Sequence, residues 1–254
     1  MDGPFLGNAA LASGVLTRYQ LRRYYRPVMP NVYLDKQIEP SLRQRTVAAH
    51  LWSGGQAVVA GLAASAIHGS KWIDEDSVVE LIWRNARPPK GVVTRDDLLL
   101  IGEVQRYDDI RVTNPTRTAF DLGRRGRLDA AVTRLDALAA ATRLEPRAVL
   151  DLAAEHRHAR GLRRLEVALD LMDPGAESPK ETWLRLLVIR AGYPRPRTQL
   201  RPTGRETTTS TWAGRTSCSR SSMTVASIGT IRSGSLTTSN VRSFCGRLGG
   251  TSCR

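Results

Sequence analysis

The sequence predicts an α+β fold, and three observations carry the prediction. Between residues 31 and 113, the short runs NVYL, SVVELIW, GVVT and IRVT are set apart by turn-forming stretches such as NARPPKG and YDD. That is the pattern of strands. From Pro115 onward apolar residues recur at three- and four-residue spacing, as in Leu128, Val132, Leu135 and Leu138, the period of buried helices. Past residue 200 no period survives. Residues 201–254 hold 11 Ser and 11 Thr, against 7 and 10 in residues 1–200, so this segment reads as a disordered tail that cannot offset the entropy of ordering.

In chain order, Thr17 is placed to cap a short helix with Leu16 and Leu21 facing inward. Pro27 and Pro30 end it, and NVYL follows as a strand. SLRQRTVAAHLWSGG reads as an amphipathic helix stopped by Gly54 and Gly55, and AVVAGLAASAIHG as a small-residue helix with Gly69 at its C-terminal side. After the strands come four helical stretches: PTRTAFDLGRRG, LDAAVTRLDALAAATR, PRAVLDLAAEHRH and LRRLEVALDLMD. SPKETWLRLLVIRAGYPRP then opens with a capping box, Ser178 at N-cap, Pro179 at N1 and Glu181 at N3. It ends at Gly192, and PRPRTQL leads out as if into a strand. No internal repeat is visible.

A chain of 254 residues suits one large or two small domains. Its net charge of +14 divides evenly: 30 basic minus 23 acidic gives +7 in residues 1–200, and 8 minus 1 gives +7 beyond. Such a balance points to a polyanionic partner, nucleic acid or a membrane surface, or else to an arginine-rich surface from GC-rich coding. No apolar run approaches the roughly 20 residues of a membrane span, so no membrane partner is expected. The N-terminus lacks the basic and apolar regions of a secretory signal. All three cysteines, Cys218, Cys245 and Cys253, lie in the tail, which excludes a disulfide framework or thiolate zinc site before it and predicts a cytoplasmic setting.

His156 and His158 stand two apart, a spacing that sends them to different helix faces, so no metal site is expected there. His50 and His68 sit singly among apolar residues and read as packed or capping groups. P-loop, dinucleotide-binding and nucleophile-elbow patterns are absent. The candidate binding element is the basic segment holding Arg18, Tyr19, Gln20, Arg22, Arg23, Tyr24 and Arg26. Of these, Arg18, Gln20, Arg22, Arg23 and Arg26 are candidate DNA contacts: arginine pairs bidentately with guanine, glutamine with adenine, and the remaining cations meet phosphates. A short helix followed by a strand and turn suits a winged helix-turn-helix. The other reading is a solvated helix whose tyrosines pack on the core.

The order of GVLTRYQLRR…NVYLD, RTVAAHLW…AVVAGLAASAIHG and IRVTNPTRTAFDLGRR…AVTRLDAL resembles the N-terminal part of AbiEi-type antitoxin-domain proteins, over roughly residues 5–140. The resemblance implies a winged-helix DNA-binding unit followed by a mixed α/β unit. It also implies DNA and a cognate toxin as partners, with repression of the protein's own operon. ESPKETWLRLLVIRAGYPRPRTQ resembles the opening helix of the very-short-patch-repair-like endonuclease domain, whose fold is restriction-endonuclease-like. Members of that family continue with a strand bearing Asp, then VEYDG, H-R and R-x-x-x-L-x-x-x-G-W-x-V-x-R, and their paired carboxylates hold Mg²⁺ and activate water. None of these motifs follows Leu200.

Another reading frame permits them, given favourable third bases. If each codon takes the last base of one codon and the first two of the next, Trp212–Ala213 must give Gly, Met223–Thr224 must give Asp and Phe244–Cys245 must give Leu. The three fall where M-G-W, Y-D-G and the final motif need them. The tail is therefore read as a frameshifted translation of the nuclease core, shifted near residues 200–207; the other reading is a natural basic disordered tail.

The expected organisation is a winged-helix-like unit at 1–36, a mixed α/β and helical antitoxin-like region at 37–175, the truncated start of a nuclease-like domain at 176–200 and the disordered basic tail at 201–254. No catalytic or metal-ligating residue is expected as encoded. Hydroxyls around Ser210–Thr211 and Ser221–Ser222 stand where carboxylates would bind Mg²⁺, and Glu181 is a single remnant carboxylate. Two functions follow as expectations: a DNA-binding, antitoxin-like regulator with no cofactor, or a Mg²⁺-dependent endonuclease if the frameshift is a sequencing error.

Overall fold

The computed structural model describes residues 3–85 and 87–198, together with a two-residue strand at Trp212–Ala213. Its first elements are β1 (Phe5–Leu6), α1 (Gly7–Ala12), α2 (Arg18–Tyr24), β2 (Tyr25–Met29) and β3 (Val32–Asp35). The three strands form an antiparallel sheet in the order β1-β3-β2. Thr17 caps α2 as its sequence predicts: its hydroxyl accepts from the Gln20 N–H, and Gln20 Oε1 accepts from the Thr17 N–H at 2.8 Å.

Pro27 does not end the helix. The chain is already a strand at Tyr25, and Pro27 lies inside β2. A proline is tolerated there because β2 is an edge strand and its register slips between Pro27 and Met29. The hairpin turns on Pro30 and Asn31, the latter at φ 60°. Asn31 also anchors α1, accepting from the Gly7 and Asn8 N–H groups through its carbonyl and side-chain oxygens. Gly7 has to be glycine, since a Cβ there would fall 2.5 Å from the Tyr33 ring.

The middle holds α3 (Leu42–Trp52), β4 (Val58–Ala60), α4 (Gly61–Ile67), β5 (Val79–Ile82), β6 (Val92–Arg95), β7 (Val104–Tyr107) and β8 (Ile110–Thr113). The strands form one mixed sheet in the order β6-β5-β4-β8-β7. In it β4 runs antiparallel to β5 and parallel to β8, β5 runs parallel to β6, and β7 runs antiparallel to β8. AVVAGLAASAIHG is thus not one helix. Val58, Val59 and Ala60 are buried as the central strand, and Gly61 at φ 60° turns the chain into α4. A buried central strand and a buried helix share a small apolar composition, which is why periodicity alone did not part them. The edge strand β7 carries no strand signature in the sequence, because Gln105, Arg106 and Tyr107 are exposed and leave no alternation.

Met29 and Val32 of the first sheet share a core with Leu42, Val59, Leu81 and Val112 of the middle. The boundary near residue 36 therefore separates elements rather than cores. The remaining helices are α5 (Pro115–Arg124), α6 (Leu128–Thr142), α7 (Pro146–Glu155), α8 (Leu162–Leu171) and α9 (Pro179–Arg190). They enclose a second core of Phe120, Val132, Leu135, Leu138, Val149, Leu165 and Leu186, and Leu128 packs against its edge as the stripe predicts. After α9 the chain forms β9 (Arg197–Thr198), paired antiparallel with β10 (Trp212–Ala213). The architecture is α+β. Apart from Trp212–Ala213, residues 201–254, read as a frameshifted and disordered tail, lie outside the described residues.

His50 and His68 are packed groups, as expected. Burial pushes the imidazole of His50 below its ordinary value of 6.5, and does the same to His68, whose Nε2 lies 2.8 Å from the Thr113 carbonyl. Both prefer to be neutral in the folded state, while the unfolded chain takes up protons near 6.5. Stability should therefore fall as pH drops through that value. Urea unfolding at a series of pH values checks this: His50→Gln/His68→Gln should flatten the decline, and an unchanged slope would refute the assignment.

Candidate nucleic-acid interface

The α2 helix buries one residue, Leu21, and presents Arg18, Tyr19, Gln20, Arg22, Arg23 and Tyr24 to solvent. Arg18 and Arg22 stand four apart and share a face. Among the described residues no acidic side chain pairs with Arg18, Arg22 or Arg23, and the first turn of α2 carries no acid. The tyrosines do not pack on the core: Tyr19 is 66% exposed and Tyr24 52%. The Arg23 guanidinium lies 6.0 Å from the centre of the Tyr19 ring and 5.8 Å from that of Tyr24, a cation–π arrangement that holds it at the surface. Tyr25, by contrast, packs edge-on against Phe5 at 5.0 Å.

Two of the five candidate contacts are placed differently. Arg26 is not on the helix. It lies on β2, half-buried, donating to the Ile38 carbonyl and to Glu39 at 3.0 Å, so it ties the strand to the segment after β3. Gln20 is on the exposed helix, but its amide oxygen is held by the Thr17 N–H and hydroxyl. Reading adenine would require that cap to open. A cation the sequence did not suggest takes a place beside them: Lys36 Nζ donates to the carbonyls of Arg22 and Arg23 at 2.6 and 2.9 Å. It sits at the negative end of the helix dipole. Only the β2–β3 hairpin brings it there, so no local signal marks it.

Glu181 serves the start of α9. The Ser178 hydroxyl accepts from its N–H at 3.3 Å, but the Glu181 carboxylate accepts from Glu177 N–H rather than Ser178 N–H, at 2.9 Å. The predicted capping box is therefore half formed, with the carboxylate capping one residue earlier. The inward face of α9 joins Leu186 to two buried polar residues, Thr182 and Arg185. Thr182 and Arg185 both donate to Asp136 Oδ2 at 2.7 Å, and burial pushes the Asp136 carboxyl up. Among the described residues no group of three His, Cys, Asp or Glu is placed to hold a metal.

His156 and His158 do part. His158 is exposed, while His156 is buried and bonded through Nε2 to Glu103. Glu103 belongs to a buried charge network around α5. Arg117 donates to Asp121 at 3.0 Å, to the Leu98 carbonyl at 2.7 Å and to Glu103. Asp121 in turn accepts from Arg124, which reaches Asp97 at 3.0 Å, and Arg125 pairs with Asp97 as well. Burial raises the Asp97 carboxyl, but Arg125 and Arg124 outweigh it and hold the group below the usual carboxylate range.

The protein is an α+β chain with an exposed basic helix, α2, ahead of its mixed sheet. Two uncharacterized proteins, from two strains of Mycobacterium tuberculosis, are each 29% identical to it over 165 residues, 63% of this chain and 59% of theirs. The chain thus spans less than two thirds of the length of these relatives. No family model matches it, and no solved structure does. Among the described residues no helix is long and apolar enough to cross a membrane.

Proposed function

We propose that this chain is a DNA-binding protein of the antitoxin-like, transcription-regulating kind, with α2 as the element that meets the duplex. The observation that carries the reading is the state of α2: Arg18, Arg22 and Arg23 are exposed and unpaired on one short helix that buries only Leu21. The buried arginines Arg117, Arg124 and Arg185, by contrast, are bound to carboxylates. The surrounding order also supports it. Two short helices lead into a two-stranded turn within a three-stranded sheet, the layout in which a winged helix sets its second helix into the major groove. A cognate toxin belongs to the same reading, with pull-down of a protein encoded beside the gene as its check.

The central test is binding of the full chain to duplex DNA across a salt series. Affinity that does not depend on salt would sink the proposal, because contacts with phosphates release counterions. The same preparation should not nick DNA in Mg²⁺ or Mn²⁺, since Glu181 is taken up in a helix cap and a lone carboxylate cannot clamp a metal. Metal-dependent nicking abolished by Glu181→Ala would favour the endonuclease reading instead. Resequencing codons 198–212 decides whether the frame is intact.

A further inference from the structure

A second group of cations lies at the corner between α7 and α8. Arg157, His158, Arg160, Arg163 and Arg164 fall within eight residues, and all are exposed. Among the described residues no acidic side chain pairs with the four arginines, and Arg157 bonds only the Ala154 carbonyl. The corner is pinned. Gly161, at φ 88°, packs so closely on the end of α5 that a Cβ there would lie 2.2 Å from the Arg124 carbonyl oxygen. That contact fixes the corner against the C-terminal end of α5.

The local electrostatics oppose the fold. α8 begins at Gly161 with no side-chain cap and no acid in its first turn, and Arg163 and Arg164 occupy that turn. Cations there face the positive end of the helix dipole. Such an arrangement is relieved by an external polyanion. Between residues 157 and 164 no large apolar side chain is exposed, which disfavours insertion into a lipid surface. The absence of an aromatic ring other than His158 disfavours stacking on single strands.

We propose that the α7–α8 corner is a second contact surface for the phosphate backbone of duplex DNA. It contributes affinity without sequence preference. It adds a point of contact to the α2 reading and is tested separately from it.

The experiment compares full-length Arg160→Gln/Arg163→Gln/Arg164→Gln with a control of equal charge loss, Arg87→Gln/Lys90→Gln/Arg143→Gln, on a duplex of random sequence over a salt series. The tail is common to both and drops out of the comparison. The corner variant should lower the salt slope by about 0.9 for each lost phosphate contact, up to roughly three contacts, and the control should lower it far less. It should also melt at or above the parent temperature, because it removes cations from a helix N-terminus.

Three results would overturn the proposal: equal slopes for corner and control, a lower melting temperature for the corner variant, or a loss seen on phosphatidylserine vesicles with duplex binding unchanged. Arg18→Gln/Arg22→Gln run in parallel separates the two surfaces. Silence of that variant alongside a loss at the corner supports the corner and removes α2.

Discussion

Arg117→Ala is expected to cost the folded protein about 3–5 kcal/mol, the usual result of removing one partner from a buried ion pair. Arg117 is 1% exposed and stands between two carboxylates, Glu103 and Asp121, that are themselves buried. Its loss leaves Glu103 with His156 and the Leu100 N–H, and leaves Asp121 with Arg124 and Arg125. It also strips the Leu98 carbonyl of its donor, so the loop running from β6 to β7 loses one of its ties to α5 and keeps the Asp97 pairs with Arg124 and Arg125. The cation further covers the Phe120 ring, 5.4 Å from its centre, and truncation opens a cavity there. Urea unfolding measures the effect. A change no larger than a surface substitution produces, about 0.5 kcal/mol, would show that the network does not hold the fold.

Much of this architecture is legible in the sequence, and the exceptions have physical causes. The helices of residues 115–190 declare themselves because Val132, Leu135 and Leu138 repeat on one face and are fully buried. Thr17 and Ser178 mark true helix starts because capping is a local interaction, decided within four residues. β4 was hidden inside a helix-like run because a strand buried on both faces shows no alternation. The buried network was hidden for a different reason. Arg117 and Asp121 at i,i+4 look like any solvated helix pair, and only the fold reveals that Glu103 and His156, 53 residues apart, meet there.

The candidate interface divides in the same way. Arg18, Arg22 and Arg23 were readable from a local basic helix, whereas the burial of Arg26 and the arrival of Lys36 depend on strand pairing across the hairpin.

Replacing Arg18 and Arg22 with Ala should produce the largest loss of DNA binding available from two exposed residues, and the form of the loss distinguishes their roles. Both stand on the open face of α2, with no carboxylate to compete for them among the described residues, so neither has to break an internal bond to reach a ligand. If they meet only phosphates, each substitution weakens all duplexes about equally and lowers the salt slope by about 0.9. If one reads a guanine, its removal costs about 1–3 kcal/mol on the preferred site and far less on random DNA.

A duplex selected from a random pool by the full chain supplies the preferred site. Stability should stay close to that of the parent, because Leu21 and the Thr17–Gln20 cap are untouched. The tail's arginines add the same sequence-independent attraction to every variant, so differences between variants report α2 itself. Gln20→Ala gives the converse result: it removes the N3 partner of the cap and should lower stability, with a further loss at adenine positions only if the cap opens on binding. Binding that ignores both arginine substitutions would make α2 an ordinary solvated helix and leave the regulator reading without its main physical support.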